Sequence, residues 1–326
     1  MPETSPSVLV IRLDGIGDAL ALSPLLAALA ASGVPADIVL RPENAEIFSR
    51  TAVRRVDVAS WQLRSSQPED DSAMHVLAAE LASRGYTHAL VATEDPSGYR
   101  LARAARISQR IGFENGWGKP FKTLWVRGAM TQTIYRPAGT DSRALHECQV
   151  LFELGRGLMA ETSPTTSIER LRPLVLDENE PPDPRVAFQV TDKWERLGMP
   201  LDAVVAAFRE AGRTESILAI ASAREHDYVE RFEQLSGAHV VRFERTAPWK
   251  AAIGRARAVI APDSGALHVA GTAGTPVVAI FPDDRQFELQ TARWRPWASP
   301  YRIVRAGAGW PEAATRSLGE LLTGKR

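Results

Sequence analysis

Residues 7–12 (SVLVIR) form an almost unbroken apolar run that ends in a polar loop, Leu13-Asp14-Gly15-Ile16-Gly17-Asp18. A run this short and continuous predicts a strand buried on both faces. The next segment, ALALSPLLAALAAS, predicts an apolar helix stopped by Gly33. Its start is open between Asp18 as cap and Ser23 as cap with Pro24 in the first turn. The alternation continues with strands at 36–40, 87–92 and 109–112 and helices near 73–83, 99–105 and 143–158. Between 161 and 184 the pattern breaks into Ser-Pro-Thr-Thr-Ser and Asp-Glu-Asn-Glu-Pro-Pro-Asp-Pro, which reads as a linker. It then restarts, with strands at 185–190, 216–221, 239–243, 258–261 and 276–281 and helices near 201–210, 225–235, 248–256 and 267–273. A helical tail lies at 311–322.

Strands alternating with helices imply mainly parallel sheets covered on both faces. The expectation is an α/β protein of two doubly wound domains, 1–165 and 185–326, joined by a linker at 166–184. The C-terminal helix is left free to pack back on the first domain. Two such domains facing across a cleft would bind ligand beyond the carboxyl ends of their strands.

Composition narrows the function classes. The 326 residues carry a formal net charge of zero, which argues against a protein built mainly to hold nucleic acid. Cys148 is the single cysteine, so no internal disulfide can form and the cytosol is the expected compartment. The start, MPETSPSVLVIRLDG, lacks the basic and long apolar character of a signal peptide, and no apolar run is long enough to span a bilayer. Contact with a membrane surface, at the inner face of the cytoplasmic membrane, stays open.

The segment 259–282, VIAPDSGALHVAGTAGTPVVAIFP, carries the strongest chemical signal. It reads as strand, polar elbow Asp263-Ser264-Gly265, helix with His268 one turn in, and second strand. A helix opening at such an elbow presents free backbone N–H groups and its positive dipole end, the arrangement that binds phosphate. The Gly15-Ile16-Gly17 loop invites a dinucleotide reading, but Leu20 stands at the third glycine position. The next strand ends Val39-Leu40-Arg41 with no acid to hold a ribose. Histidines at metal-ligand spacing, a Ser-His-Asp set and a Walker signature are all absent from the sequence.

Four pieces in order carry a resemblance: VLVIRLDGIGDALALSPLLAAL, SGYRLARAARISQRIGF, LHECQVLFELG and DSGALHVAGTAGTPVVAIF. With them the chain resembles the family 9 glycosyltransferases, the ADP-heptose:lipopolysaccharide heptosyltransferases and their relatives. The resemblance implies a GT-B fold, an acceptor-binding first domain, a second domain holding a nucleotide-activated sugar, and inverting, metal-independent transfer without a cofactor. No Asp-x-Asp triplet occurs, which agrees with a diphosphate neutralised by amides and basic side chains. In the family pattern Asp18 is the general base, with Asp14 close enough to share its work. Gly15 and Gly17 would allow tight turns and close approach of substrate. Ser264, Gly265 and His268 would hold the donor diphosphate, and Asp263 would order the elbow or meet the sugar. Lys193, with Thr191 beside it, would offset the charge of the leaving nucleotide, and Glu225 would accept the ribose hydroxyls.

The chain departs from the family at Gln189, where His-Pro-Gly is common, and at Pro282, where a glycine often follows the strand. For an anionic acceptor the first domain offers Arg64, Lys119, Lys122 and Arg127 beside Trp61, Trp117 and Phe121. His146-Glu147 matches the family and is expected to be structural. An ADP-linked heptose is the family's donor, and the expected partners are that nucleotide sugar and a saccharide or glycolipid acceptor, with no nucleic acid. The alternatives are a nucleotide-sugar epimerase or hydrolase, and a non-catalytic nucleotide-sugar-binding protein.

Overall fold

The computed structural model describes residues 6–34, 36–49, 53–61, 71–136, 145–177 and 181–324. It divides into two compact units, Met1–Thr165 and Thr166–Arg326. In the first, β1 (Val8–Arg12), β2 (Ala36–Leu40), β3 (Arg55–Val58), β4 (His88–Val91), β5 (Gln109–Glu114) and β6 (Gln132–Tyr135) form one six-stranded sheet in the order β3-β2-β1-β4-β5-β6. Every pairing is parallel, with Val10 of β1 opposite both Ile38 and Leu90. All five residues of β1 are buried, as a central strand covered on both faces must be.

The segment read as a single helix after β1 is two. α1 (Ile16–Leu20) is a short turn of helix, and α2 (Ser23–Ala31) follows with Pro24 in its first turn. Ser23 donates its hydroxyl to Leu20 O across the break, at 2.7 Å. α3 (Asp71–Ser83), α4 (Pro96–Ala104), α5 (Pro120–Ala129) and α6 (Glu147–Phe152) complete the first unit's α-helices.

The second unit repeats the topology. Its strands β7 (Asp183–Gln189), β8 (Ile217–Ser222), β9 (Val241–Phe243), β10 (Ala256–Pro262), β11 (Val277–Phe281) and β12 (Tyr301–Arg305) lie in the order β12-β11-β10-β7-β8-β9, again all parallel. In both sheets the order reverses between the first and fourth strands of the unit, β1/β4 and β7/β10. Loops leaving the carboxyl ends there diverge and open a crevice, the usual ligand position of such sheets.

Part of the segment read as a linker is a packed helix. α7 (Ile168–Val175) buries Leu171, Leu174 and Val175 and packs on α12 (Gly265–Ala273). Those residues sit at i, i+3 and i+4, an apolar face that the surrounding Ser-Pro and Asp-Pro composition masks. Arg172 donates to Ala273 O at 2.7 Å and so caps α12. α12 ends at Gly274 with φ of +80°, where a β-carbon would stand 2.7 Å from Ile168.

The C-terminal helix packs within the second unit. α14 (Trp310–Thr323) lies on α9 (Leu201–Ala211) and β12, and Trp310 stacks on Trp194 at 5.6 Å. Trp194 in turn stacks on Phe188, which meets Phe208 edge to face at 5.5 Å. These large rings make the centre of the second unit's core. Among the described residues no helix is long and apolar enough to cross a membrane.

Candidate functional site

In the first unit the site is built on a buried charge. Arg12 is the last residue of β1 and is almost fully buried. A guanidinium in that position must find acceptors or leave the strand. It finds Ala92 O, at the end of β4, and Asp18 Oδ1 at 2.8 Å; Asp14 Oδ2 and Glu147 Oε1 each lie 3.5 Å from it. Burial alone would lower the Arg12 pKa, but Asp18, Asp14 and Glu147 outweigh it, and the group is held more firmly protonated than usual.

Asp18 is therefore oriented rather than loose. Oδ1 accepts from Arg12 and Oδ2 accepts from Gly15 N at 3.1 Å, while the side chain keeps 34% of its surface exposed. It caps α1 from its third position, by reaching back to the amide that precedes the helix, and does not occupy the cap position itself. Gly15 and Gly17 have ordinary negative φ, so neither serves a left-handed turn. Gly15 gives Asp18 room: a β-carbon there would stand 3.3 Å from Asp18 Oδ2, so the carboxylate would have to shift by a few tenths of an ångström. Asn44 donates to Asp14 O at 2.9 Å and pins the loop from the other side.

Behind Asp18 the ion pairs continue. Glu147, fully buried at the start of α6, accepts from Arg136 at 2.9 Å on the oxygen turned away from Arg12. Arg136 lies 3.5 Å from Glu94, which also takes Lys122 at 3.2 Å and Lys119 at 3.7 Å. Burial would raise the Glu94 pKa, but Arg136, Lys122 and Lys119 together bring it below the ordinary value. The two candidate acceptor lysines thus share one carboxylate, and Arg127 is held by Glu114. Trp61 is buried in the first unit's core, so it is not a surface aromatic for acceptor; Trp117 and Phe121 are exposed. Arg64 lies outside the described residues.

His146 accepts from Cys148 N at 3.1 Å as the cap of α6, a structural role. The sequence reading omits Arg12, Arg136 and Glu94 from the site. One signal was available: an arginine closing a wholly apolar strand marks a buried charge that needs partners.

In the second unit the loops after β7, β8 and β10 bring the donor candidates together at neighbouring strand ends. β10 ends at Pro262 and Ser264 occupies the cap position of α12 in extended conformation. The Ser264 side chain makes no cap hydrogen bond to the first turn of that helix. The Ser264 hydroxyl is buried, with 8% of the residue exposed, and has no hydrogen-bond partner. A buried hydroxyl without a partner at a helix start is costly in isolation and suits an incoming anion. His268 lies one turn along, its Nε2 3.9 Å from Asp263 Oδ1 and its ring edge-on to Trp294 at 5.6 Å.

Across the switch point, Thr191 is buried and donates its hydroxyl to Glu225 Oε1, and Lys193 opens α8 (Lys193–Arg196) with its amide 3.3 Å from Thr191 Oγ1. Glu225 stands at the cap position of α10 (His226–Ser236). Burial, reinforced by nearby Asp192 against the Thr191 hydrogen bond, pushes its pKa up to about 7. Gln189, where the family commonly has His-Pro-Gly, is built into the core: its side chain accepts from Trp249 at 3.0 Å and its carbonyl from Trp194 at 2.8 Å. Among the described residues no group of three or more His, Cys, Asp or Glu could hold a metal ion.

Residues 208–320 match the model of glycosyltransferase family 9 (heptosyltransferase). No curated protein matches the chain in sequence. Among solved structures, a family 9 glycosyl transferase from Veillonella parvula DSM 2008 is similar, with a TM-score of 0.74 at 14% identity over 100% of this chain and 99% of that one. The E. coli ADP-heptose LPS heptosyltransferase II gives 0.73 at 16% identity, covering 98% and 99%. E. coli heptosyltransferase WaaC with ADP gives 0.71 at 14%, covering 98% and 100%. At such identities the likeness is one of fold. The two six-stranded parallel sheets are the GT-B fold of the heptosyltransferases, and the elbow segment of the second unit lies inside the residues that match the family 9 model.

Proposed function

We propose that the protein is an inverting, metal-independent sugar transferase, moving a heptose from a nucleotide diphosphate, ADP-linked, to a saccharide or glycolipid of the cell envelope, on the cytoplasmic side. The observation that carries the reading is the second unit's elbow: a helix start whose cap residue, Ser264, keeps its hydroxyl buried and unpartnered, inside the residues that match the family model.

In this reading the acceptor hydroxyl attacks the anomeric carbon and gives its proton to Asp18 as the new C–O bond forms. The bond from that carbon to the diphosphate breaks, and its electron pair leaves on the phosphate oxygen. The α12 amides, Ser264, Gly265, His268 and Lys193 hold that growing charge, so neither a cofactor nor a metal is needed. Asp263 orders the elbow, and Thr191 and Glu225 hold the ribose side. Gly15 lets the acceptor approach Asp18, while Lys119, Lys122 and Arg64 serve an anionic acceptor.

The test is nucleotide release with donor alone and with donor plus acceptor extract. Release that depends on acceptor supports transfer. Equal release without acceptor would assign the chain to hydrolysis or epimerisation, and binding without release to a non-catalytic protein. A UDP-N-acetylglucosamine 2-epimerase shares the fold at a TM-score of 0.51 and 14% identity, so the comparison is worth running on the same samples.

Two variants examine the donor side. Ser264→Ala removes a buried hydroxyl that satisfies nothing in the free protein, so stability should not fall and should rise by up to about 1–3 kcal/mol. Nucleoside diphosphate affinity should fall by about 1.5–3 kcal/mol, as for one charge-assisted hydrogen bond. Isothermal titration and thermal melts on one preparation separate the two effects, and unchanged affinity would remove Ser264 from the site.

Glu225 supplies a pH dependence. It must be ionised to accept both ribose hydroxyls, and with its pKa near 7 it is largely protonated at pH 6. Nucleotide-sugar affinity should therefore rise about tenfold between pH 6 and pH 8. The phosphates of a nucleotide sugar do not titrate in that interval. Glu225→Gln should flatten the profile, and a wild-type profile that is already flat would contradict the assignment. The sign for stability is the reverse. A carboxyl with a raised pKa favours the folded state below about pH 4.5, and that contribution is lost as pH climbs through 7.

A further inference from the structure

Among the described residues, the exposed large hydrophobic side chains concentrate in one place. Most of them stand on α5 or beside it: Trp117 is 95% exposed, Phe121 89%, Leu124 73% and Trp125 42%, with Tyr135 next to them in sequence order on β6. α5 has two apolar faces. Thr123, Val126 and Ala129 are buried against the unit. Phe121, Leu124 and Trp125, at i, i+3 and i+4, form the opposite face and point outward. Trp117 precedes them by about one turn, on the short helical turn that leads into α5. Trp125 is fixed edge to face on Tyr99 of α4 at 5.6 Å, so the stripe sits on a rigid support.

The charge around this stripe is predominantly basic. From Glu94 to Tyr135 the sequence holds Arg100, Arg103, Arg106 and Arg110, then Lys119, Lys122 and Arg127, against Glu94, Asp95 and Glu114; Lys119 and Lys122 pair with Glu94 and Arg127 with Glu114, so seven cations face three carboxylates. The whole chain has a net charge of zero, so this excess is local. Arg110 is spent on structure, donating to Ala129 O at 2.9 Å at the end of α5. Arg103, one turn beyond Tyr99, is exposed.

We propose that the outer face of α5, with the cations of α4 and α5 around it, docks the first unit on an anionic lipid bilayer. A helix lying in the interface with aromatic and aliphatic side chains on one face and basic residues at its flanks is how such surfaces are held. Tryptophan is suited to the headgroup level, and each basic residue near the surface adds attraction to anionic lipid. Leu124, in the middle of the stripe, selects this partner over a nucleic acid, since an aliphatic side chain is matched by acyl chains and offers no stacking face to a base.

The surface is connected to the candidate base. α5 leaves the carboxyl end of β5, the same sheet edge from which the Asp14–Asp18 loop leaves β1. Ion pairs run from Lys122 through Glu94, Arg136, Glu147 and Arg12 to Asp18. The docking stands on the surface alone; that it brings a lipid-borne acceptor to the edge holding Asp18 rests on the transfer proposed above.

The experiment is co-sedimentation of the full chain with vesicles of phosphatidylcholine alone and of phosphatidylcholine mixed with phosphatidylglycerol. The wild type is expected to pellet with the mixed vesicles and to be released by salt. Trp117→Ser, Phe121→Ser and Leu124→Ser combined should weaken that binding by at least about tenfold, and Arg103→Glu should weaken it by itself. Nucleoside diphosphate affinity, a property of the second unit, serves as the check that the variants are folded. Absence of wild-type binding, or equal binding by the triple variant, would overturn the proposal. So would a single-stranded oligonucleotide that displaces the vesicles through the same residues. Vesicle binding by a protein that shows no acceptor-dependent release would leave the docking in place and remove the transfer reading.

Discussion

Replacing Asp18 with asparagine is expected to slow acceptor-dependent nucleotide release by about 10²–10⁴-fold, the usual contribution of a positioned general base. Nucleotide-sugar affinity should stay within about twofold, because donor binding is assigned to the other unit and asparagine has nearly the same shape. The substitution is mild for the fold. The amide oxygen of the new side chain can still accept from Gly15 N or from Arg12, and Arg12 keeps Asp14 and Glu147 close by. A folded Asp18→Asn protein that turns over at the wild-type rate would take the proton-accepting role away from this residue. Asp14, whose carboxylate faces the same guanidinium, would be the next to replace.

Glu147→Ala is expected to cost about 3–5 kcal/mol of stability, the scale for removing one partner of a buried ion pair. The carboxylate is fully buried between Arg12 and Arg136, and deleting it leaves two guanidinium groups facing each other with no anion between them. Asp18 and Glu94 would retain one cation each, which limits the damage but does not restore the centre. Denaturant melts measure the loss. Two units need not unfold together, so nucleotide affinity provides an independent reading of the second. A loss below about 1 kcal/mol would mean that water, and not Glu147, neutralises the arginines.

Every strand that sequence reading leaves out lies at a sheet edge, although one edge strand, β9, is found. β1, β4, β7, β10 and β11 are interior, nearly continuous runs of Val, Ile, Leu, Ala and Phe, and a run buried on both faces is visible without a partner. β3 (RVDV), β6 (QTIY) and β12 (YRIVR) do not appear in that reading, and all three are edge strands. An edge strand needs less apolar surface and carries charge, so its pattern resembles a loop. α7 was hidden in the same way, by the polar residues on either side of its buried face.

What the sequence by itself determined is local. The order of strands and helices, the elbow at Asp263-Ser264-Gly265 opening a helix, and an acidic residue in a glycine-flanked loop after the first strand all follow from residues within a few positions of one another. The tertiary structure decided which of these are held, and by what. Arg12 meets Glu147 across 135 positions and Ala92 across 80, and those contacts aim Asp18. Whether Ser264 finds a partner, whether Glu225 is driven toward neutrality, and whether Trp61 is a surface ring or a core one depend on what the rest of the chain packs beside them. Hydrophobic periodicity reports the face a residue presents to the core. It carries no record of distant partners, because burial of a charge is balanced only after the sheet has brought the strand ends together.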